Sequence, residues 1–411
     1  MTSHIKHIVF VVPIYLPAAL DGSAMVIRDL AESLVKQGLQ VTVLTSDALT
    51  SRHWYDPIFG KNLQTRESVI NGVKVIRLHT AWFFSSILYI VNKLLGKSQL
   101  NDPLVDWIRL LYFGPYFIGI KKSIYAVKPD VLVLCPFPCG FCSIVATIAK
   151  QLSIPYVVIP FFKPDNALFS NPLLKTILKD AKGVFAPTVT EQKLLAKIVS
   201  IHNVAILPSS FDSSYVKSSM KQIQKRAGEI KNDLSLQGTT IYLFVGAKGK
   251  EKGIFDFVKA SKFIEDSSAR FVIVGSDTPD WIQYRKNISD SRIIERGYTS
   301  GLNKYAFFYL CNALVLPSTS DNFPLVFVES WYFKKPIIAY AHYAIPEILS
   351  DGSGISVETN NIQKLAQAMK YVKQHPKSAK LMGDLGYSKV TQHDRAIVTK
   401  LFLEGLRIFD I

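Results

Sequence analysis

A lysine-rich turn in VGAKGKEKGIFDF (245–257) has the composition of an anion-binding site. Lys248, Lys250 and Lys252 lie between an apolar run and Gly253, which begins a helical pattern. Ammonium groups and the N–H groups of a helix N-terminus both attract phosphate. Because the turn follows a predicted strand, we expect it to bind a diphosphate at the carboxyl end of that strand. A solvated lysine loop is the competing interpretation.

Two acidic residues stand eight positions apart in LPSTSDNFPLVFVESWYFKKPIIAY (316–340). Asp321 follows a predicted strand, and Glu329 falls inside a helix that begins near Leu325. Carboxylates accept hydrogen bonds from sugar hydroxyls, and a helix N-terminus offers N–H groups to a phosphate. The segment therefore predicts a site for a sugar phosphate. The competing interpretation for Glu329 is a buried carboxylate that backbone donors satisfy.

A third candidate follows the first apolar run of the chain. Gly22 and Ser23 precede a helical pattern over 24–38, so backbone N–H groups would point toward a ligand at its N-terminus. This arrangement suits phosphate, but a tight turn explains Gly22 equally well.

Three of the four cysteines, Cys135, Cys139 and Cys142, have the spacing of an iron–sulfur ligand set. Four cysteines in a chain of this length do not form a disulfide framework. The three follow a predicted middle strand, which is typical of buried free thiols on a strand, turn and helix. We therefore expect no metal at this position.

The elements that must position these residues form a repeating pattern of short apolar runs and helices. Continuous Val, Ile and Leu runs indicate strands buried on both faces, as in parallel sheets covered by helices. Two such series flank a polar stretch over 209–239. The predicted fold class is α/β, with two doubly wound Rossmann-like domains facing a cleft. The predicted strands are 7–13, 40–46, 73–79, 130–136, 155–161, 183–187, 203–208, 240–246, 270–276, 292–297, 312–318 and 335–340.

Composition limits the classes of partner. The chain has 411 residues, of which 48% are hydrophobic and 19% charged, and this excludes a disordered chain. Its net charge of +16 favours a phosphorylated substrate, a nucleic acid or membrane head groups. Without an aromatic–basic recognition motif, we expect no nucleic-acid partner. The uncharged run 131–149 contains two prolines and a glycine, so it predicts a strand, turn and helix rather than a membrane span.

Residues 81–126 differ from the rest of the chain because they are rich in Trp, Phe and Tyr. Lys93, Lys97, Lys121 and Lys122 are interspersed among these aromatic residues. One interpretation is a helical insert packed on the core. The other is an amphipathic surface that lies in the membrane interface, where aromatic and lysine side chains suit the head-group region.

Taken together, the motifs resemble family 4 of the glycosyltransferases, which have the GT-B fold and retain the anomeric configuration. The resemblance covers nearly the whole chain and is most specific over 316–354, which is similar to the Glu-x7-Glu motif of the family. It implies an acceptor-side domain over 1–208, a nucleotide-sugar-binding domain over 209–390 and a C-terminal helix, 391–411, that crosses back to the first domain.

The resemblance also implies a role for each site residue. Asp321 and Lys252 are the residues implied to take part in catalysis, Asp321 at the transferred sugar and Lys252 at the diphosphate. Glu329 holds the donor ribose, and Gly22 matches the phosphate-facing loop. The remaining donor-binding residues are Lys248, Asn322, Phe323, Leu325 and Val326.

Three positions depart from the family pattern. Ala247 stands where the family usually has Arg, the chain has no His at or near Cys135, and Ser209-Ser210 replace a common Asn-Gly. Lys248 can supply a point charge beside Ala247 but not the bidentate grip of Arg.

The sequence therefore predicts a retaining, metal-independent glycosyltransferase with a nucleotide-diphosphate sugar donor and no cofactor. The expected acceptor is a glycan, lipid-linked or at the cell surface. We expect a cytoplasmic protein, with peripheral contact to anionic membrane as the further expectation. The alternative is a weak or inactive relative that binds a nucleotide sugar or a partner, and a sugar-nucleotide epimerase ranks third.

Overall fold

A computed structural model describes residues 5–18, 22–50, 61–81, 114–137, 139–162 and 171–411, with residues 54, 83, 86–88, 90, 91, 108 and 169. The chain divides into two units. Unit 1 comprises Met1–Ser210 and Arg395–Ile411, and unit 2 comprises Phe211–Asp394. The chain thus leaves unit 1 once and returns to it with its last helix.

Within the described residues, unit 1 contains an eight-stranded sheet in the order β3-β4-β2-β1-β5-β6-β7-β8. Neighbouring strands are parallel except for the β3–β4 pair. Its strands are β1 (His7–Val11), β2 (Gln40–Ser46), β3 (Glu67–Ile70), β4 (Val73–Leu78), β5 (Val131–Leu134), β6 (Tyr156–Val158), β7 (Gly183–Ala186) and β8 (Val204–Ile206). The central strands are buried along their whole length, as continuous β-branched runs require when helices cover both faces.

Unit 2 contains a six-stranded parallel sheet in the order β11-β10-β9-β12-β13-β14. Its strands are β9 (Thr240–Val245), β10 (Ala269–Val274), β11 (Ile293–Arg296), β12 (Ala313–Leu316), β13 (Ile337–Tyr340) and β14 (Gly354–Val357). The strand order reverses between β9 and β12, and ligands of doubly wound sheets bind beyond the carboxyl ends of the strands at such a point.

Helices connect the parallel strands in both units. Those of unit 1 include α1 (Gly22–Lys36), α2 (Ile120–Val127), α3 (Gly140–Gln151), α4 (Pro172–Asp180) and α5 (Val189–Leu195). Those of unit 2 are α6 (Ser213–Ser218), α7 (Met220–Asp233), α8 (Ile254–Ser261), α9 (Pro279–Tyr284), α10 (Gly301–Leu310), α11 (Leu325–Tyr332), α12 (Ile345–Ile348), α13 (Ile362–Gln374) and α14 (Pro376–Lys389). The last helix, α15 (Arg395–Ile408), returns to unit 1.

Aromatic packing and the ion pairs of Arg395 with Asp29 and Glu32 fix α15 within unit 1. The Phe402 ring stacks on Phe10 of β1 at 6.3 Å and tilts against Phe185 of β7 at 5.0 Å between centroids. At the start of the helix, Arg395 Nη2 donates to Asp29 Oδ1 of α1 at 2.5 Å. The apolar residues of α15 therefore pack on the sheet of unit 1.

The structure confirms the predicted fold class, since both units are doubly wound α/β domains. Each predicted strand overlaps one observed strand, and the ends differ by at most a few residues. Two strands, β3 and β14, were not predicted. The polar stretch 209–239 contains helices α6 and α7, because their apolar residues occupy one narrow stripe: Val216, Ile223, Ala227 and Ile230 are buried. The run 131–149 forms β5 and most of α3, as predicted.

Candidate functional site

The lysine turn, residues 249–253, connects the carboxyl end of β9 to α8. A single 3-10 turn spans Lys250–Lys252, and Gly253 follows in the left-handed region with φ 76°. A Cβ at Gly253 would lie 1.9 Å from the carbonyl oxygen of Pro317, so only glycine allows this approach. The close contact brings the turn against the end of β12, the neighbouring strand in the sheet.

Hydrogen bonds join the lysine turn to the acidic loop, residues 317–324, which follows β12. The carbonyl oxygen of Glu251 accepts from the N–H of Thr319 at 2.9 Å and from Ser318 Oγ at 3.1 Å. Two segments that are about 70 residues apart in the chain therefore form one surface at the carboxyl edge of the sheet.

Lys252 and Asp321 meet on that surface. Lys252 Nζ donates to Asp321 Oδ1 at 2.5 Å, with the side chains 26% and 19% exposed. The structure thus brings together the two residues that the resemblance implies for catalysis. Because both side chains remain accessible to solvent, an incoming phosphate can reach the ammonium group at a modest cost.

The acidic loop leads into the N-terminus of α11. Pro324 occupies the N-cap, and among the described residues no side chain caps the helix, so the N–H groups of its first turn, starting at Leu325 and Val326, remain suited to an anion. Asn322 is buried, and the Phe323 ring packs on His393 with 4.8 Å between centroids. These contacts fix the loop that precedes the helix.

Glu329 lies one turn further along α11 and is buried. Its Oε1 accepts from Lys304 Nζ of α10 at 2.5 Å, and the two side chains are 6% and 14% exposed. Its Oε2 is buried and has no hydrogen-bond partner among the described residues. Glu329 is thus buried, as the competing interpretation holds, but within the described part of the chain its hydrogen-bond donor is a lysine side chain rather than the backbone.

Lys248 lies in a different environment, which we call the carboxylate network. Its side chain is only 1% exposed, and Nζ contacts Asp277 Oδ1 at 2.7 Å and Glu295 Oε1 at 2.6 Å. Arg285 Nη1 reaches both carboxylates at 3.0 and 3.1 Å, and Trp281 Nε1 donates to Glu295 at 2.9 Å. The ammonium group is thus neutralised within unit 2.

The network also sets the protonation of its acids. A hydrogen bond from Lys248 lowers the pKa of Asp277 below its usual value. Burial acts to raise the pKa of Glu295, but hydrogen bonds from Lys248 and Trp281 outweigh burial and the pKa is lowered. Both carboxylates are therefore ionised near neutral pH, and Lys248 has little charge to offer a diphosphate. Its expected role beside Ala247 finds no support in this geometry.

In unit 1, Gly22 is the first residue of α1 and is exposed. A cavity of about 270 Å³ lies beside this helix N-terminus, at the carboxyl ends of β1, β2 and β5. Its lining includes Ser23, Ala24, Trp54 and Cys135. The described lining is mainly apolar, with Ser23 and Thr50 supplying hydroxyl groups.

Of the three clustered cysteines, Cys135 and Cys142 are buried, and Cys139 is half-buried. Burial raises the pKa of Cys142 well above its usual value. Over the described parts of the chain, no group of three or more His, Cys, Asp or Glu residues is arranged to hold a metal ion. Cys135 and Cys142 thus have the burial expected of thiols on a strand, turn and helix, and Cys139 is more exposed.

Most of the aromatic insert 81–126 lies outside the described residues, including Lys93 and Lys97. In its described part, Lys121 and Lys122 lie on α2, and Tyr125 and Ile118 are exposed. None of the described helices has the length and apolarity needed to cross a membrane.

Two features of the site, the partner of Glu329 and the carboxylates around Lys248, could not be recognised from the sequence. Lys304 belongs to a helix of mainly apolar residues, whereas Asp277 lies in the loop after β10 and Glu295 lies in β11. Their partners, Glu329 and Lys248, are 25 residues or more away in the chain. Only the strand order brings them together, so spacing could not reveal the pairs.

Among the comparisons with known proteins, the match to a protein-family model lies in the second unit. Residues 227–389 match the model of the family "Glycosyl transferases group 1". An uncharacterized glycosyltransferase of Methanocaldococcus jannaschii is 27% identical over 364 residues, which cover 84% of this chain and 94% of that protein. An uncharacterized protein from the cps region of Klebsiella pneumoniae is 29% identical, but over only 31% of this chain and 35% of that protein.

Solved structures of similar fold cover both units. HepE of Anabaena, in complex with UDP and glucose, superposes with a TM-score of 0.72 at 14% identity, covering 98% of this chain and all of that one. Sucrose-phosphate synthase of Thermosynechococcus elongatus superposes with a TM-score of 0.70 at 17% identity, covering 98% of each chain. At these identities the likeness shows the fold alone. The chain thus has the GT-B fold of glycosyltransferases, with a match to the group 1 glycosyltransferase family in its second unit.

Proposed function

We propose that the protein is a retaining glycosyltransferase that takes a sugar from a nucleotide-diphosphate donor. The observation that carries this proposal is the contact between Lys252 and Asp321, which joins the lysine turn to the acidic loop. A cation for the diphosphate and a carboxylate for the sugar then stand side by side, as transfer at a sugar–phosphate bond requires. HepE, a structural neighbour, was solved with UDP-glucose, which supports a nucleotide-sugar donor here.

Each site residue has a part in the proposed complex. Lys252 and the N–H groups of Leu325 and Val326 bind the diphosphate, while Asp321 and the backbone of Asn322 and Phe323 position the transferred sugar. Glu329 accepts a hydrogen bond from the ribose. Gly22 is assigned to the phosphate by the family resemblance.

The proposed reaction requires no base from the protein. The acceptor oxygen forms a bond to the anomeric carbon as the bond from that carbon to the diphosphate oxygen breaks. The leaving diphosphate oxygen lies on the same face and takes the acceptor proton. Negative charge then builds on the diphosphate, where Lys252 and the N–H groups at α11 stabilise it. The configuration at the anomeric carbon is retained.

A weak or inactive relative that binds a nucleotide sugar remains the second candidate, and one observation favours it. Ala247 has no charge, and the carboxylate network neutralises Lys248, so fewer cations face the diphosphate than the family pattern provides. This candidate predicts donor binding without turnover.

Two measurements, of donor binding and of the product, separate the two candidates. Thermal-shift screening with UDP-, GDP- and ADP-sugars identifies the donor, since a ligand of the folded state raises the melting temperature. Proton NMR of the product should then show the anomeric configuration of the donor, unchanged by a chelator, with Cys135→Ser as a control that turns over normally. An inverted product, or activity that requires added Mg²⁺ or Mn²⁺, would contradict the mechanism; a thermal shift without product would favour the second candidate.

We further propose that the acceptor is a glycan held at an anionic membrane, through the insert 81–126. The net charge of +16 and the exposed aromatic and aliphatic side chains described there, such as Phe83 and Tyr125, support this location. The protein should sediment with vesicles rich in anionic phospholipid at low salt and less with neutral vesicles. Protein that stays in the supernatant with both kinds of vesicle would exclude the membrane contact.

A further inference from the structure

We propose that Lys304 is a positioning residue for the donor ribose, acting through its ion pair with Glu329. This inference rests on the proposed function and adds a residue and a specificity to it. The juxtaposition that supports it is a buried carboxylate with one oxygen held by a lysine and the other without a hydrogen-bond partner among the described residues.

The ion pair links two helices that lie apart in the chain. Lys304 is on α10 and Glu329 is on α11, and their charged atoms are 2.5 Å apart. Charged side chains as buried as these require a partner, because removal from water penalises an isolated charge heavily. Lys304 Nζ also lies 5.4 Å from the centre of the Tyr305 ring, which favours a cation at that point. The lysine is thus fixed on the carboxylate rather than extended into solvent.

The pair makes the two oxygens of Glu329 different. Oε1 is occupied by Lys304, whereas Oε2 is buried without a partner in the described residues. A buried acceptor that lacks a donor is costly, and a ligand hydroxyl that donates to it removes that cost. Lys304 therefore selects Oε2 as the oxygen that receives the ribose hydroxyl and prevents the carboxylate from rotating away.

A contrast within the same unit supports a positioning role. The pair of Lys252 and Asp321 is more exposed, as a pair that exchanges partners with a phosphate requires. The pair of Lys304 and Glu329 is enclosed, so it is suited to hold a geometry. The expected consequence is discrimination between ribose and deoxyribose in the donor.

The test compares ribose nucleotides with their deoxy forms. Calorimetry gives the affinities of UDP, GDP or ADP, whichever the donor screen selects, and of the matching 2′-deoxy and 3′-deoxy nucleotides. In the wild type, at least one deoxy form should bind about 10- to 100-fold more weakly, the range for a hydrogen bond to a charged group. Lys304→Met should reduce this ratio to less than about threefold, and Lys304→Arg should restore most of it.

The ratio of the affinities for ribose and deoxyribose nucleotides distinguishes a positioning role of Lys304 from general damage to the fold. A structural defect would weaken ribose and deoxyribose nucleotides alike and leave their ratio unchanged. Lys334→Met is the matched control, because it also removes an ion-paired lysine of unit 2, the partner of Asp384, and it should keep the ratio of the wild type.

If Lys304→Met does not fold, the same substitution can be tested in a protein that already carries Glu329→Gln. Glu329→Gln should lose the discrimination, and adding Lys304→Met to it leaves no unpaired buried charge. The double variant should show the same ratio as Glu329→Gln; a further loss would mean that Lys304 contacts the ribose itself and would overturn the inference. An unchanged ratio in Lys304→Met would overturn it as well. If the wild type binds none of these nucleotides, the proposed function itself fails, which is a different result.

Discussion

Lys248 and Lys252 lie four residues apart after the same strand, and their surroundings are opposite. Lys248 is enclosed by two carboxylates, an arginine and a tryptophan that lie on β11 or between β10 and β11. Lys252 meets one carboxylate, Asp321, and both remain partly exposed beyond β12. The same kind of side chain thus stabilises the fold on one side of β9 and is available to a ligand on the other.

The backbone explains why the two lysines diverge. The N–H of Lys248 donates to the carbonyl oxygen of Ser276 at 2.9 Å, and its carbonyl oxygen accepts from Thr278 Oγ1 at 2.7 Å. These bonds fix Lys248 against the loop after β10. Lys252 instead ends the 3-10 turn, directly before Gly253, which contacts the end of β12. The strand that each lysine faces therefore decides its role.

The largest expected effect is a loss of stability when the enclosed lysine, Lys248, is replaced. Lys248→Met removes the buried cation that neutralises Asp277 and Glu295, and the remaining cation, Arg285, is on the exposed rim of the network. Removal of one member of a buried ion pair destabilises a protein by about 3–5 kcal/mol, and we expect the lower part of this range because both carboxylates are partly exposed.

Urea unfolding measures this change in the free energy of unfolding. Lys250→Met, in the same turn and exposed, is the matched control, and a change within about 0.5 kcal/mol is expected for it. If Lys248→Met were as stable as Lys250→Met, the network would contribute no stability, and Lys248 would again be a candidate for the diphosphate.

The contrast also shows what the sequence could predict. Continuous apolar runs identified the strands and the fold class, since burial on both faces imposes that pattern on the chain itself. Asp321 and Glu329 could be proposed because strand-end loops and helix N-termini are places where ligands bind. Lys248 could not be separated from Lys252, because both follow one strand and only the order of neighbouring strands distinguishes them. Lys304 gave no signal for the same reason, since its partner lies on another helix.

A smaller effect, on donor affinity rather than stability, is expected when the more exposed lysine, Lys252, is replaced. Lys252→Met removes a charge-assisted contact to the diphosphate, so donor affinity should fall by about 1.5–3 kcal/mol. The free energy of unfolding should change by less than about 1 kcal/mol, because the pair with Asp321 is partly exposed. Lys252→Arg keeps the charge and should recover part of the affinity.

Two measurements should be made on both Lys252→Met and Lys248→Met. Titration calorimetry gives the affinity for the donor, and urea unfolding gives the free energy of unfolding. The division of roles requires that Lys252→Met lose affinity while keeping stability. If Lys252→Met were unstable and bound the donor normally, the assignment of the two lysines would have to be reversed.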